Sequence, residues 1–158
     1  MVSLLELYNG SSKGKFDLIM KTAYQTDIGK QRSENQDRVR VFQKDHNLLA
    51  VVTDGIGGNR SGDVAEDAAR LSPQKNIITR AIGISDDAKI DVHTFPFGKN
   101  DQLLLCSDGL SKMVSNDQIK SVLGNETISV GDKCRQLVDL ANQAGGPDNV
   151  TVLISENN

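Results

Sequence analysis

Four aspartates stand at the ends of apolar runs or beside glycine turns. They are Asp37 in SENQDRVRV, Asp54 in LLAVVTDGIGG, Asp108 in LLLCSDGL and Asp148 in GGPDNVTVLI. Val, Leu and Ile in the neighbouring runs predict buried strands, which places the carboxylates at strand ends. Carboxylates brought together there repel one another and raise each other's pKa unless a cation sits among them. Ligands that are all oxygen suit a hard ion, Mg²⁺ or Mn²⁺, over zinc or copper. Asp-Gly after a strand is also an ordinary turn. The repetition at Asp54-Gly55 and Asp108-Gly109, joined by Asp37 and Asp148, is hard to assign to turns alone. Arg32 lies five residues before Asp37. A guanidinium there can fork onto two phosphate oxygens, although a solvated arginine is the plainer fate of any single Arg.

In this order and with this wording, the segments resemble the motifs of the metal-dependent protein phosphatase family (PPM, protein phosphatase 2C), bacterial branch. TDIGKQRSENQDRV is similar to the family's first motif and VVTDGIGGNRSGDVA to its second, while KNIITRAIG, LLLCSDGLSKMVSNDQI and GGPDNVTVLI resemble later ones. The resemblance implies a protein serine/threonine phosphatase whose Asp37, Asp54, Asp108 and Asp148, with the carbonyl of Gly55, hold two Mn²⁺ or Mg²⁺ ions. Two ions about 3.5–4 Å apart share a water and lower its pKa towards neutrality, so no protein nucleophile is needed. It also implies that Arg32 binds the substrate phosphate, and that the substrates are phosphoserine and phosphothreonine proteins made by a cognate kinase. The implied fold is α+β, a sandwich of antiparallel sheets flanked by helices.

One stretch departs from the family. Where family members carry a long segment with core helices, a Gly-Thr-Thr strand and a Gly-Asp-Ser-Arg strand, this chain has only residues 66–75. We read that as an internal deletion, which leaves the implied sandwich incomplete. The second reading is therefore a shortened pseudophosphatase that binds metal or partners without turnover.

Other constellations carry less. The glycines at 55, 57, 58 and 62 fail the dinucleotide spacing, and GSSKGKF fails the phosphate-loop pattern at Phe16, so a nucleotide-binding module ranks third. Cys106 lacks the arginine six residues on that a thiol phosphatase needs, and reads as a small core residue. His46 and His93 read as structural or solvated.

The 158 residues fit one domain. A net charge of −3 with no block of like charges argues against nucleic acid or an anionic membrane as the main partner. The unpaired contexts of Cys106 and Cys134 suggest a reduced, cytoplasmic protein. Residues 1–19, ending in NGSSKGK, read as an extension without function, with the phosphatase domain over 20–156. Within it the pattern predicts strands at 20–27, 38–42, 48–53, 89–95, 102–107 and 149–155. Helices are predicted at 63–71, from a Ser115/Gln118 capping box to Leu123, and around 130–141 up to Gly145-Gly146.

Overall fold

The computed structural model describes residues 20–44, 47–55 and 95–157, together with the backbone of Val2–Leu7. Among these residues there are six strands: β1 (Val2–Leu7), β2 (Met20–Asp27), β3 (Arg38–Lys44), β4 (Asn47–Thr53), β5 (Gln102–Cys106) and β6 (Val150–Asn157). Three helices follow the fifth strand: α1 (Asp108–Ser111), α2 (Asn116–Leu123) and α3 (Val130–Gln143).

The strands form two three-stranded antiparallel sheets, ordered β1-β4-β3 and β2-β6-β5. Alternation along β4 turns Leu48, Ala50 and Val52 inward, where they meet Val39 of β3 and Met20 and Leu153 of the second sheet. This apolar layer joins the sheets into a sandwich. The second sheet buries its other face as well. Val150, Val152 and Ile154 of β6 pack on Leu110, Cys134, Leu137, Val138 and Ala141. β6 is the middle strand of that sheet, and its run of Val, Thr, Leu and Ile suits a position covered on both faces.

Local chemistry starts and stops the helices. Ser115 accepts from the Gln118 N–H while the Gln118 side chain accepts from the Ser115 N–H, closing the expected capping box. The Ser129 hydroxyl accepts from the Asp132 N–H and starts α3. Gly145 and Gly146, at φ +126° and +50°, take the chain out of it.

The α+β class and the antiparallel sandwich agree with the expectation. Two elements were not foreseen. β1 lies inside the stretch read as an extension, yet its backbone pairs with β4 from Leu7 opposite Leu48 to Val2 opposite Thr53. α1 is a single turn that opens directly on Asp108. The expected helix at 63–71 and most of the expected strand at 89–95 lie outside the described residues. Phe95 itself is described and is not in a strand.

Candidate metal and phosphate site

Register brings the four aspartates to one end of the sandwich. Arg38 pairs with Thr53, so Asp37 and Asp54 leave adjacent strands of the first sheet side by side. Cys106 pairs with Val152, and the Ser107 N–H donates to the Thr151 carbonyl at 3.0 Å. That sets Asp108 beside the turn carrying Asp148 on the second sheet. Asp27 pairs with Val150 on the other side of β6, which launches the segment bearing Arg32 from the same end.

Two side chains stitch the halves together. The Ser107 hydroxyl donates to Asp37 Oδ2 at 2.6 Å and accepts from the Thr151 N–H at 2.9 Å. Asn149 Oδ1 accepts from the Gln36 N–H at 2.8 Å, while its amide donates to the carbonyls of Ile28 and Glu34, each at 2.9 Å. Ser107, Asn149 and Asp37 are all buried. In that setting each satisfied bond counts, because an orphaned polar group costs about 1–3 kcal/mol.

Close backbone approach explains two glycines. A Cβ at Gly55 would come within 2.6 Å of the Gln36 carbonyl oxygen. One at Gly109 would collide with the carbonyl oxygen of Asn149. The Asp-Gly pairs are thus the points where the first sheet meets the 36–37 strand entry and α1 meets the 148–149 turn.

Asp148 and Asp108 hold cations. Arg32 grips Asp148 with a bidentate fork, Nε to Oδ1 at 2.9 Å and Nη2 to Oδ2 at 3.0 Å. Lys112 Nζ meets Asp108 Oδ2 at 2.6 Å. This bond is the main reason the Lys112 pKa is raised; burial opposes it, and the charges of Asp108, Asp148 and Asp54 add to it. The Asp54 carboxyl is pushed above its ordinary range by burial, and further by the charges of Asp108, Asp37 and Asp148, against an opposing pull of the amino-terminal charge. Burial, then the Asp108 charge, pushes the Cys106 thiol up, in keeping with a packing role.

The chemistry of this end suits a hard cation: the donors are oxygens, and Asp54 bears the field of three other carboxylates. Among the described residues, however, no group of three or more His, Cys, Asp or Glu is arranged to hold a metal ion. Arg32 and Lys112 instead neutralise one carboxylate each. Sequence reasoning named Arg32 and the acids but missed Ser107 and Asn149. The only signal for either was its place next to Asp108 or Asp148.

No family model matches the sequence. The chain is 35% identical over 120 residues to the serine/threonine phosphatase stp of Listeria welshimeri, covering 76% of this chain and 45% of that protein. It is 42% identical over 99 residues to the protein phosphatase PhpP of Streptococcus pneumoniae, covering 62% of this chain and 40% of that one. The chain thus spans less than half the length of these relatives. Its fold is similar to the serine/threonine phosphatase of S. agalactiae, with a TM-score of 0.74 at 23% identity over 88% of this chain and 100% of that one. It is also similar to the catalytic domain of the phosphatase PstP, solved with two manganese ions. There the TM-score is 0.65 at 21% identity over 88% of this chain and 98% of that one.

Proposed function

We propose that this chain, which belongs to the bacterial metal-dependent (PPM, 2C-type) protein phosphatase family, hydrolyses phosphoserine and phosphothreonine in proteins using two Mn²⁺ or Mg²⁺ ions. The observation that carries the reading is the arrival of Asp37, Asp54, Asp108 and Asp148 at one end of the sandwich, where Asp54 feels the other three. Those four carboxylates, with the Gly55 carbonyl, are the groups that would hold the ions. When bound, the ions supply Lewis-acid activation of the attacking water and neutralise phosphate charge.

The chain's own residues do the rest. Ser107 and Asn149 fix Asp37 and the turn at 148–149 across the two sheets. Arg32 already presents a two-pronged donor set, and the fork it places on Asp148 is the shape that binds two phosphate oxygens. Binding metal would require Asp148 and Asp108 to turn from Arg32 and Lys112. That exchange frees Arg32 for the substrate, so metal and phosphate would load together. Among the described residues no helix is long and apolar enough to cross a membrane. We place the activity in the cytoplasm, on the products of a cognate Ser/Thr kinase.

The test is hydrolysis of p-nitrophenyl phosphate and of phosphothreonine peptides with Mn²⁺ and with chelator. The expected result is metal-dependent turnover that falls about 100-fold or more in Arg32→Ala, the scale of removing one donor aimed at developing charge. Mn²⁺ binding without turnover would favour the pseudophosphatase. No binding at all would remove both readings.

A further inference from the structure

We infer that residues 2–7 are a working strand of this protein, closing the second side of β4 and thereby bracing Asp54. β4 is the middle strand of its sheet, with β3 on one side and β1 on the other. Its Leu48, Ala50 and Val52 are buried, as befits a central strand. Stripped of β1, it would present an open row of N–H and C=O groups on an apolar strand, the arrangement that pairs with foreign chains. The pairing runs without a break over all six residues of β1 and ends with Val2 opposite Thr53. On the other side Arg38 is opposite the same Thr53. Asp54 is the next residue, so its carboxylate leaves a strand held from both sides up to the preceding position. With β1 gone, the last residues of β4 would have one neighbour and would open more readily.

The occupant of this edge is a segment of the chain itself. Its sequence, VSLLEL, is mostly apolar and free of Gly and Pro, which suits a strand. A chain that spans less than half the length of its relatives would in this way complete a sheet with its own amino-terminal residues. The bracing of Asp54 rests on the metal reading above; the strand itself does not.

Amide hydrogen exchange on the full chain tests the strand directly. Slow exchange is expected at residues 2–7 together with 48–53, independent of protein concentration. Exchange of 2–7 at the rate of a free peptide would overturn the proposal. So would protection that appears only on dimerisation, which would assign the strand to a second copy. Mn²⁺ titration then compares the full chain with one lacking residues 1–7. Affinity should fall about 10-fold or more, as when the support of a metal ligand is removed, and a peptide of residues 1–8 added in trans should restore it. Unchanged affinity would overturn the bracing of Asp54. If the shortened chain does not fold, recovery of the folded state on adding the peptide supports the inference, and no recovery counts against it. A full chain that takes no Mn²⁺ but protects 2–7 would defeat the phosphatase reading and leave the strand standing.

Discussion

The two sheets are built to different standards, and the carboxylates are divided between them. The β2-β6-β5 sheet is covered on both faces. One face meets the other sheet, and the other lies under the cluster of Leu110, Cys134, Leu137, Val138 and Ala141. Its middle strand is drawn from a single unbroken run, and it carries Asp108 and Asp148. The β1-β4-β3 sheet carries Asp37 and Asp54. Its outer strand β1 comes from residues 2–7, and on its other outer strand, β3, Phe42 is 60% exposed. The difference teaches that half of the site stands on a finished layer. The other half depends on bonds reaching across from it.

The largest expected effect comes from attacking the finished layer. Ile154 and Leu137 are fully buried against each other's elements. Ile154→Ala or Leu137→Ala should lower stability by about 2–5 kcal/mol, a large share of the roughly 5–15 kcal/mol of a typical domain. Phe42→Ala on the exposed strand should change it by less than about 0.5 kcal/mol. Urea unfolding of the three variants checks the contrast, and equal losses would erase the distinction between the sheets.

Next in size is the bond between the layers. Ser107→Ala removes the donor to buried Asp37 and the acceptor for the Thr151 N–H. A loss of about 1–3 kcal/mol is expected, together with weaker Mn²⁺ binding. Ser107→Thr should keep part of both, because it keeps the hydroxyl. A Ser107→Ala protein that melts and binds metal like the parent would show that Asp37 is held by something else.

Gly109→Ala probes the same seam from the backbone. In an ordinary helix interior this change gains up to about 1 kcal/mol. Here the new methyl would strike the Asn149 carbonyl, so the sign should reverse, with a loss of about 1–3 kcal/mol typical of overpacking. A higher melting temperature would mean that α1 can move away from the 148–149 turn.

How much of this was legible in the sequence depends on how far each signal reaches. The capping box of α2 and the apolar stripe of α3 are local patterns, and the structure places them where the spacing says. The alternating or apolar runs of β3, β4 and β6 are equally local. β1 was not legible. Six residues with Glu6 among them, followed by a linker-like tract, carry no sign of a partner some 46 positions away at Thr53–Leu48. The site divides in the same way. The aspartates announce themselves by residue type beside glycines and apolar runs. Ser107 and Asn149 act through partners 70 and 113 residues distant, and a lone hydroxyl or amide gives no hint of them. The Asp148–Arg32 and Asp108–Lys112 pairs are hidden for another reason: a carboxylate suited to a metal ion suits a basic side chain equally well, and residue type alone does not separate the two.

The smallest expected effect concerns Asp54, the acid at the end of β4. Its carboxyl is raised above the ordinary range by burial and then by Asp108, with Asp37 and Asp148 adding to this and the amino-terminal charge opposing it. A carboxyl with a higher pKa folded than unfolded opposes folding when it is ionised. The penalty is present in full above the folded pKa. It fades as pH falls through that value towards the unfolded one, about 4. For this residue, then, metal-free protein should gain stability on acidification from neutral pH, opposite in sign to an acid whose pKa is lowered on folding. Asp54→Asn removes the charge, so the metal-free variant should melt slightly above the parent at neutral pH and lose that part of the pH dependence. Saturating Mn²⁺ should reverse the order, because binding to the folded parent stabilises it by mass action while the variant lacks a ligand. Melting curves of both proteins with Mn²⁺ and with chelator decide the matter. A metal-free variant that melts below the parent would mean that the bonds Asp54 makes outweigh the repulsion it feels, and the first sheet would then be better finished at this end than its electrostatics suggest.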